Sequence, residues 1–194
     1  DKKILVTGHT GFTGSWLCQW LINIEAKVYG YALEPKTSPS LFNLLSLEKR
    51  MDSCIADITH ADALQSYVTK VQPDLIIHLA AQTLVTDSYL NPLETYSINT
   101  MGTANILEIA RKCSSVQALV CITTDKVYEN KNWDFGYREN DLLGGHDPYS
   151  ASKAAAEIAI SSYSRTFFLN KKNIKIATTR AGNVIGGGDW AKDR

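Results

Sequence analysis

The chain is predicted to fold as an α/β domain, a doubly wound parallel sheet with helices on both faces. Short continuous apolar runs such as Leu75-Ile76-Ile77 and Ala118-Leu119-Val120-Cys121-Ile122 suit strands buried on both sides. These runs alternate with segments of helical spacing, the pattern of a parallel sheet crossed over by helices. A glycine loop, Gly8-His9-Thr10-Gly11-Phe12-Thr13-Gly14, joins the first strand to the first helix.

In order along the chain, Lys3–Thr7 reads as a buried strand and Phe12–Ile24 as a helix with Phe12, Trp16, Trp20 and Ile24 on one face. Lys27–Leu33 is a second strand. A loop from Pro35 to Pro39 precedes a short helical piece near Leu41–Leu47. Cys54–Ala56 is a short third strand ending at Asp57. Thr59 and Asp62 have capping-box spacing and open a helix to about Val71. Pro73 leads into the fourth strand, Asp74–Ala80. Asn91-Pro92-x-Glu94 puts Asn at N-cap, Pro at N1 and Glu at N3 of a helix that runs to about Lys112. Val116–Thr123 is a fifth strand. Residues 129–146, polar, aromatic and glycine-containing, read as a long loop over a site. Asp147-Pro148 starts a helix to about Phe168, Ile174–Thr179 is a sixth strand, and Gly186-Gly187-Gly188 is a turn. Ligands of such sheets bind beyond the carboxyl ends of the strands, and Gly8, Asp57, Ala80, Thr124 and Gly182 all fall there.

The 194 residues suffice for one domain with a full core. Twenty basic residues balance twenty acidic ones, which removes any electrostatic case for nucleic acid or an anionic membrane. No apolar run is long enough to span a bilayer. Cys18, Cys54, Cys113 and Cys121 lie far apart in apolar surroundings, which predicts buried free thiols in a reducing cytoplasm. The His residues are scattered without metal-ligand spacing, so no metal is expected. The chain opens at Asp1, directly before a strand and without Met, and stops at Arg194 soon after a glycine turn. It reads as a domain cut from a longer protein.

Three motifs carry chemistry. Gly8, Gly11 and Gly14 permit a tight turn and close backbone approach to a pyrophosphate resting on the helix N-terminus. Tyr149 and Lys153, four residues apart near the start of a helix, share a face. A phenol titrates near 10, so Tyr149 must drop by roughly 3 units to serve as a base near neutrality. A nearby ammonium favours that drop. Thr124, Asp125 and Lys126 put a hydroxyl, an acid and an amine at the end of an apolar strand. From the local sequence alone, the last two read equally as a solvated pair in a loop.

Thr7-Gly8-x-x-Gly11-x-x-Gly14 together with Tyr149-x-x-x-Lys153 resembles the extended short-chain dehydrogenase/reductase family. The resemblance implies a Rossmann-type domain spanning residues 1–194, with a smaller substrate domain mostly beyond Arg194, and a bound NAD. It implies NAD contacts from Gly8, His9, Thr10, Gly11, Phe12, Thr13 and Gly14, from Asp57 and Ile58 at the adenine, and from Leu79, Ala80, Ala81 and Asn99. Tyr149 and Lys153 would meet the nicotinamide end. In one respect the chain departs from the family. NAD-specific members carry an acid at the end of the second strand, whereas Ala32 stands there and Glu34 comes two residues late. No Arg replaces it to hold a 2′-phosphate, so NAD remains the expected cofactor.

Thr124-Asp125-Lys126 looks like the nucleotide-sugar 4,6-dehydratase branch. The resemblance implies that Asp125 is the acid and Lys126 occupies the base position, where many members have Glu. Lys at that position, and the stretches His78–Val85, Thr123–Asn130, Trp133–Asp141, Gly144–Lys153 and Arg180–Trp190, resemble the dehydratases acting on CDP-glucose. Val127 stands where Cys is expected. Gln82, Ser88, Tyr89, Thr124 and Asn183 are then expected at the nucleotide-sugar substrate. A role in 3,6-dideoxyhexose synthesis for surface polysaccharide would follow. So would a homodimer through a bundle of the helices Asn91–Lys112 and Tyr149–Phe168. A nucleotide-sugar 4-epimerase and a non-catalytic dinucleotide sensor are the alternatives. Asp125 argues against the first, and the paired Tyr149 and Lys153 against the second.

Overall fold

The computed structural model describes residues 2–169 and 174–192. Six parallel strands form one sheet in the order β3-β2-β1-β4-β5-β6. They are β1 (Lys3–Thr7), β2 (Lys27–Ala32), β3 (Asp52–Ile55), β4 (Leu75–His78), β5 (Ala118–Thr124) and β6 (Lys175–Ala181). In the register Thr7 lies beside Tyr31 and His78, and Thr124 beside Ala181. The carboxyl ends of β1, β4, β5 and β6 therefore share one edge. The helices are α1 (Phe12–Asn23), α2 (Leu41–Leu44), α3 (Ala61–Val71), α4 (Val85–Leu90), α5 (Pro92–Tyr96), α6 (Gly102–Lys112) and α7 (Pro148–Tyr163).

Two apolar cores cover the two faces of the sheet. Leu5, Tyr31, Ile76, Leu119 and Cys121 pack with Leu64, Val68, Ile106, Leu107 and Ile160 of α3, α6 and α7. Ile4, Val6 and Val28 pack with Cys18 and Leu21 of α1 and with Phe42 and Leu47. On this second face Lys175, Ala177 and Thr179 of β6 are exposed.

The structure departs from the sequence expectations at several elements, each for a local reason. The buried face of α1 is Gly14, Ser15, Cys18 and Leu21, so the Phe12-Trp16-Trp20-Ile24 face points away from the core. The glycine loop decides this, because Gly14 must close on the loop carbonyl of Gly8. Trp16 is used instead to donate a 2.9 Å hydrogen bond to the Gly187 carbonyl, docking the glycine turn on α1. The capping box at Thr59 does not form. Its N–H and hydroxyl both bond Asp57 Oδ1 at 2.8 Å, a tighter local turn, and α3 starts at Ala61. β3 begins earlier than expected, at Asp52, and β4 ends at His78. The single helix expected from Asn91 is preceded by α4, and a π turn at Ser97–Met101 joins α5 to α6. A second π turn, Ser164–Phe168, extends α7. Cys54 is half-buried, unlike the other three thiols. Among the described residues no helix is long and apolar enough to cross a membrane.

Candidate active site

At the end of β1 the chain turns through Gly8, whose φ of +75° suits glycine. A Cβ there would sit 2.8 Å from the backbone nitrogen of Ala80, and one on Gly14 would collide with the carbonyl of Gly8. The fold itself therefore requires these two glycines. Gly11 differs. It is exposed, and an added Cβ would meet only the Gly8 carbonyl oxygen, at 3.4 Å. Its glycine leaves room for something from outside. No side chain caps the N-terminus of α1 and no acid lies in its first turn. The N–H groups there form a cradle suited to a diphosphate.

His9 and Thr10 point inward. His9 is fully buried, 2.6 Å from Ser53 Oγ, and burial lowers its pKa to about 4. The hydroxyl of Thr10 donates to the Leu33 carbonyl at 2.7 Å. Phe12 and Thr13 are half-buried at the start of α1.

A chain of hydrogen bonds runs beneath the loop. The N–H of Ala80 donates to Thr7 Oγ1 at 3.2 Å, and Thr7 Oγ1 lies 2.7 Å from His78 Nδ1. His78 Nε2 lies 3.1 Å from Thr103 Oγ1, which donates to the Asn99 carbonyl at 2.7 Å. Because Thr103 spends its proton on Asn99, His78 must donate from Nε2 and accept from Thr7 at Nδ1. This assignment makes His78 neutral with a fixed tautomer. Burial, then the charge on Lys153, lowers its pKa to about 3.

Both histidines are thus neutral in the fold yet titrate near 6.5 when unfolded. Their contribution to stability is complete above the unfolded value. It shrinks as pH falls toward about 4 and about 3. Urea unfolding is expected to show a loss on the order of 2–4 kcal/mol between pH 7 and pH 5, above the carboxylate range. A midpoint constant over that interval would contradict the neutral assignment.

Residues 79–82 follow this chain. Leu79, Ala80 and Ala81 are half-buried. Asn99 is fully buried. Its Oδ1 accepts from Gln82 N at 2.8 Å, while its Nδ2 donates to the Gln82 carbonyl at 3.0 Å and to Ser152 Oγ at 2.9 Å. Its amide is spent within the protein, so it acts on the site by placing Gln82 against α7. Gln82 is itself buried and donates to the Leu84 carbonyl at 2.9 Å. Ser88 is buried and bonds the Val85 carbonyl, whereas Tyr89 is exposed. Ile58 belongs to the core, packed on Gly102, and Asp57 uses Oδ1 on Thr59.

The side chains expected to carry chemistry lie at the end of β5, on the turn that follows it and on α7. Asp147 caps α7 by accepting from the N–H of Ser150 at 2.9 Å, and Pro148 occupies the first turn. This cap sets Tyr149 in the first turn, half-buried, with Lys153 one turn on. Lys153 is buried and donates from Nζ to the Ile122 carbonyl at 3.0 Å. Burial lowers its pKa to about 8, while Cys121 and Glu157 pull it upward. Thr124 ends β5, buried, and its hydroxyl donates to Asp125 Oδ1 at 3.1 Å. The backbone then leaves the strand as one 3₁₀ turn, Asp125–Val127, capped by Thr124. Asp125 and Lys126 are both exposed on it. Gly182, just past β6, brings its backbone beside Asp125 Oδ2, and Asn183 follows, exposed. Among the described residues no group of three or more His, Cys, Asp or Glu side chains could hold a metal.

Sequence reasoning missed the Thr7–His78–Thr103 chain and the ion pair of Glu157 with Arg180. The second left a signal. Glu157 is a lone charge in the apolar stretch 154–160 of α7, and Arg180 is a lone charge near the end of β6. Buried charges of that kind need each other.

A family model described as GDP-mannose 4,6 dehydratase matches residues 5–183. The chain is 48% identical to CDP-glucose 4,6-dehydratase of Salmonella typhimurium, over all of this chain and 55% of that protein. It is 31% identical to CDP-paratose 2-epimerase of Salmonella typhi, over 87% of this chain and 54% of that protein. Among solved structures, UDP-glucuronic acid 4-epimerase from Bacillus cereus in complex with NAD superposes with a TM-score of 0.79. It is 27% identical, over 96% of this chain and 58% of that one. The chain thus spans about half the length of the curated relatives it matches.

Proposed function

Since the chain belongs to the GDP-mannose 4,6 dehydratase family, we propose that its full-length protein is an NAD-dependent nucleotide-sugar 4,6-dehydratase acting on CDP-glucose. The single observation that carries the reading is the strand end itself. An acid and an amine, Asp125 and Lys126, leave β5 on one exposed turn that packs against α7, the helix carrying Tyr149 and Lys153. An epimerase has no use for that acid.

NAD would rest its diphosphate on the Gly8–Gly14 cradle and its nicotinamide ribose near Lys153. It supplies a reversible hydride acceptor, and the net reaction consumes none of it. The chain's own groups handle the protons. Tyr149 takes the proton of the sugar's C4 hydroxyl, with Thr124 and Lys153 holding hydroxyl and ribose. Lys126 takes the C5 proton, which the C4 ketone has acidified. Asp125 protonates the C6 hydroxyl, which leaves as water. The hydride taken from C4 would come back to C6 as Lys126 returns a proton to C5, and the product is the 4-dehydro-6-deoxy sugar. Gln82, Ser88, Tyr89 and Asn183 lie in segments that border this space and are assigned to the sugar nucleotide. The full-length protein given CDP-glucose should release one water per sugar with no net reduced cofactor.

Gly11→Ala tests the cradle. The fold has room for this methyl, so the unfolding midpoint should hardly move, whereas NAD affinity should fall about tenfold or more. Unchanged affinity would place the diphosphate elsewhere.

A homodimer belongs to the same reading. Leu90, Leu93, Met101 and Ile158 are each more than half exposed on α4, α5, α7 and the π turn between α5 and α6, which suits helix packing against a second copy. A reducing cytoplasm suits the unpaired thiols. Supply of a 6-deoxy sugar for surface polysaccharide suits the reaction.

A further inference from the structure

Arg180 occupies a point where four parts of the molecule meet. From β6 its Nε and Nη2 bond the two carboxylate oxygens of Glu157 on α7, each at 3.1 Å. Thr123, next to Thr124 on β5, donates to the same Glu157 Oε1 at 2.6 Å. Arg180 Nη1 reaches across to the Glu139 carbonyl at 2.9 Å. Its guanidinium lies 4.9 Å above the ring of Tyr128, which stacks on Tyr137 at 5.1 Å, and Trp133 closes the pile 5.4 Å from Tyr137. The Tyr137 hydroxyl accepts from Lys131 N and donates to Asn130 Oδ1. The loop after the reactive turn is thus stacked ring by ring on one half-buried cation.

Tyr128 is also the residue that ends the reactive turn. Its N–H donates to the Asp125 carbonyl at 3.2 Å, and its ring is the one the guanidinium covers. One side of Arg180 therefore grips the helix carrying Tyr149 and Lys153, and the other grips the exit of the turn carrying Asp125 and Lys126. Those two pairs must address neighbouring carbons of one sugar, and about 1 Å of misplacement can cost on the order of a hundredfold in rate.

We propose that Arg180 is a positioning residue that, acting through Tyr128, sets the Asp125–Lys126 turn relative to the Tyr149–Lys153 helix. The proposal rests on the dehydratase reading for its kinetic consequence. Its structural half stands without it.

The test uses the full-length protein with Tyr128→Leu and Tyr128→Phe, which keep both Glu157 and Arg180. Arg180→Lys serves as a third variant, keeping the charge without the fork. Amide hydrogen exchange and steady-state water loss are both read. Tyr128→Leu should speed exchange at residues 125–128 and leave residues 8–14 unchanged. It should lower kcat by about tenfold or more with KM within about twofold. Tyr128→Phe keeps the ring under the cation but loses the hydroxyl that also bonds Arg180, and should fall between Tyr128→Leu and the unsubstituted protein. Arg180→Lys should follow Tyr128→Leu. Unchanged exchange at 125–128 in both Tyr128→Leu and Arg180→Lys overturns the proposal. So does a drop in kcat as large in Tyr128→Phe as in Tyr128→Leu, or one that only tracks a fall in unfolding temperature. An unsubstituted protein that removes no water refutes the dehydratase reading instead, and the exchange result still decides whether the strut exists.

Discussion

Tyr149→Phe in the full-length protein should lower turnover by roughly a thousandfold while NAD affinity stays within a few-fold of the unsubstituted protein. The substitution removes one oxygen and leaves the ring. Asp147 caps α7 through the Ser150 N–H and Pro148 fixes the first turn, so the helix start that carries the ring keeps its own supports. The cradle at Gly8–Gly14 and the amine of Lys153 are untouched. What disappears is the base for the C4 hydroxyl. Lys153 beside it stays a cation at neutral pH, since burial lowers its pKa only to about 8, and the Ile122 carbonyl fixes its amine at 3.0 Å. A cation in that place favours the phenolate. Kinetics together with a separate NAD titration check this. Loss of NAD binding along with turnover would mean the phenol serves cofactor binding rather than proton transfer.

Asp125→Asn should abolish release of water from the sugar, by about a hundredfold or more, with little change in stability. Asp125 is exposed on the 3₁₀ turn, and its carboxylate accepts from the Thr124 hydroxyl at 3.1 Å, which an Asn oxygen can also accept. The fold therefore has little stake in its charge. A carboxylic acid can give a proton to a departing hydroxyl, and an amide cannot. A 4-epimerase would tolerate the change and a sensor would have no turnover to lose, so one variant separates the three readings. Water release within a factor of two of the unsubstituted protein would remove Asp125 from the mechanism.

The sheet was legible because parallel strands announce themselves as apolar runs, and Leu75–Ile77 and Ala118–Ile122 lie within β4 and β5. The start of α7 was legible for a stronger reason, since Asp147 and Pro148 act locally and need no tertiary partner. Other features turn on competing partners, some near in the chain and some distant. Thr59 has the spacing of a cap, yet Asp57 two residues back takes its hydroxyl first. Phe12, Trp16, Trp20 and Ile24 form an apolar stripe, but the glycine loop turns α1 so that small residues face the sheet. Asn99 and Gln82 are each expected at a ligand, and in the fold Asn99 also binds the Gln82 backbone, an arrangement visible only once α6, the turn before it and α7 are packed. The neutral state of His78 likewise depends on Thr7 and Thr103, which lie 71 and 25 residues away in sequence.

The most direct test of the central claim offers CDP-, dTDP-, UDP- and GDP-glucose separately to the full-length protein with NAD, following sugar mass and the appearance of a 4-keto group. The account predicts loss of one water from CDP-glucose, a 4-keto product and no net reduced cofactor. A changed configuration at C4 with no loss of water from any of the four would contradict it and make the protein an epimerase.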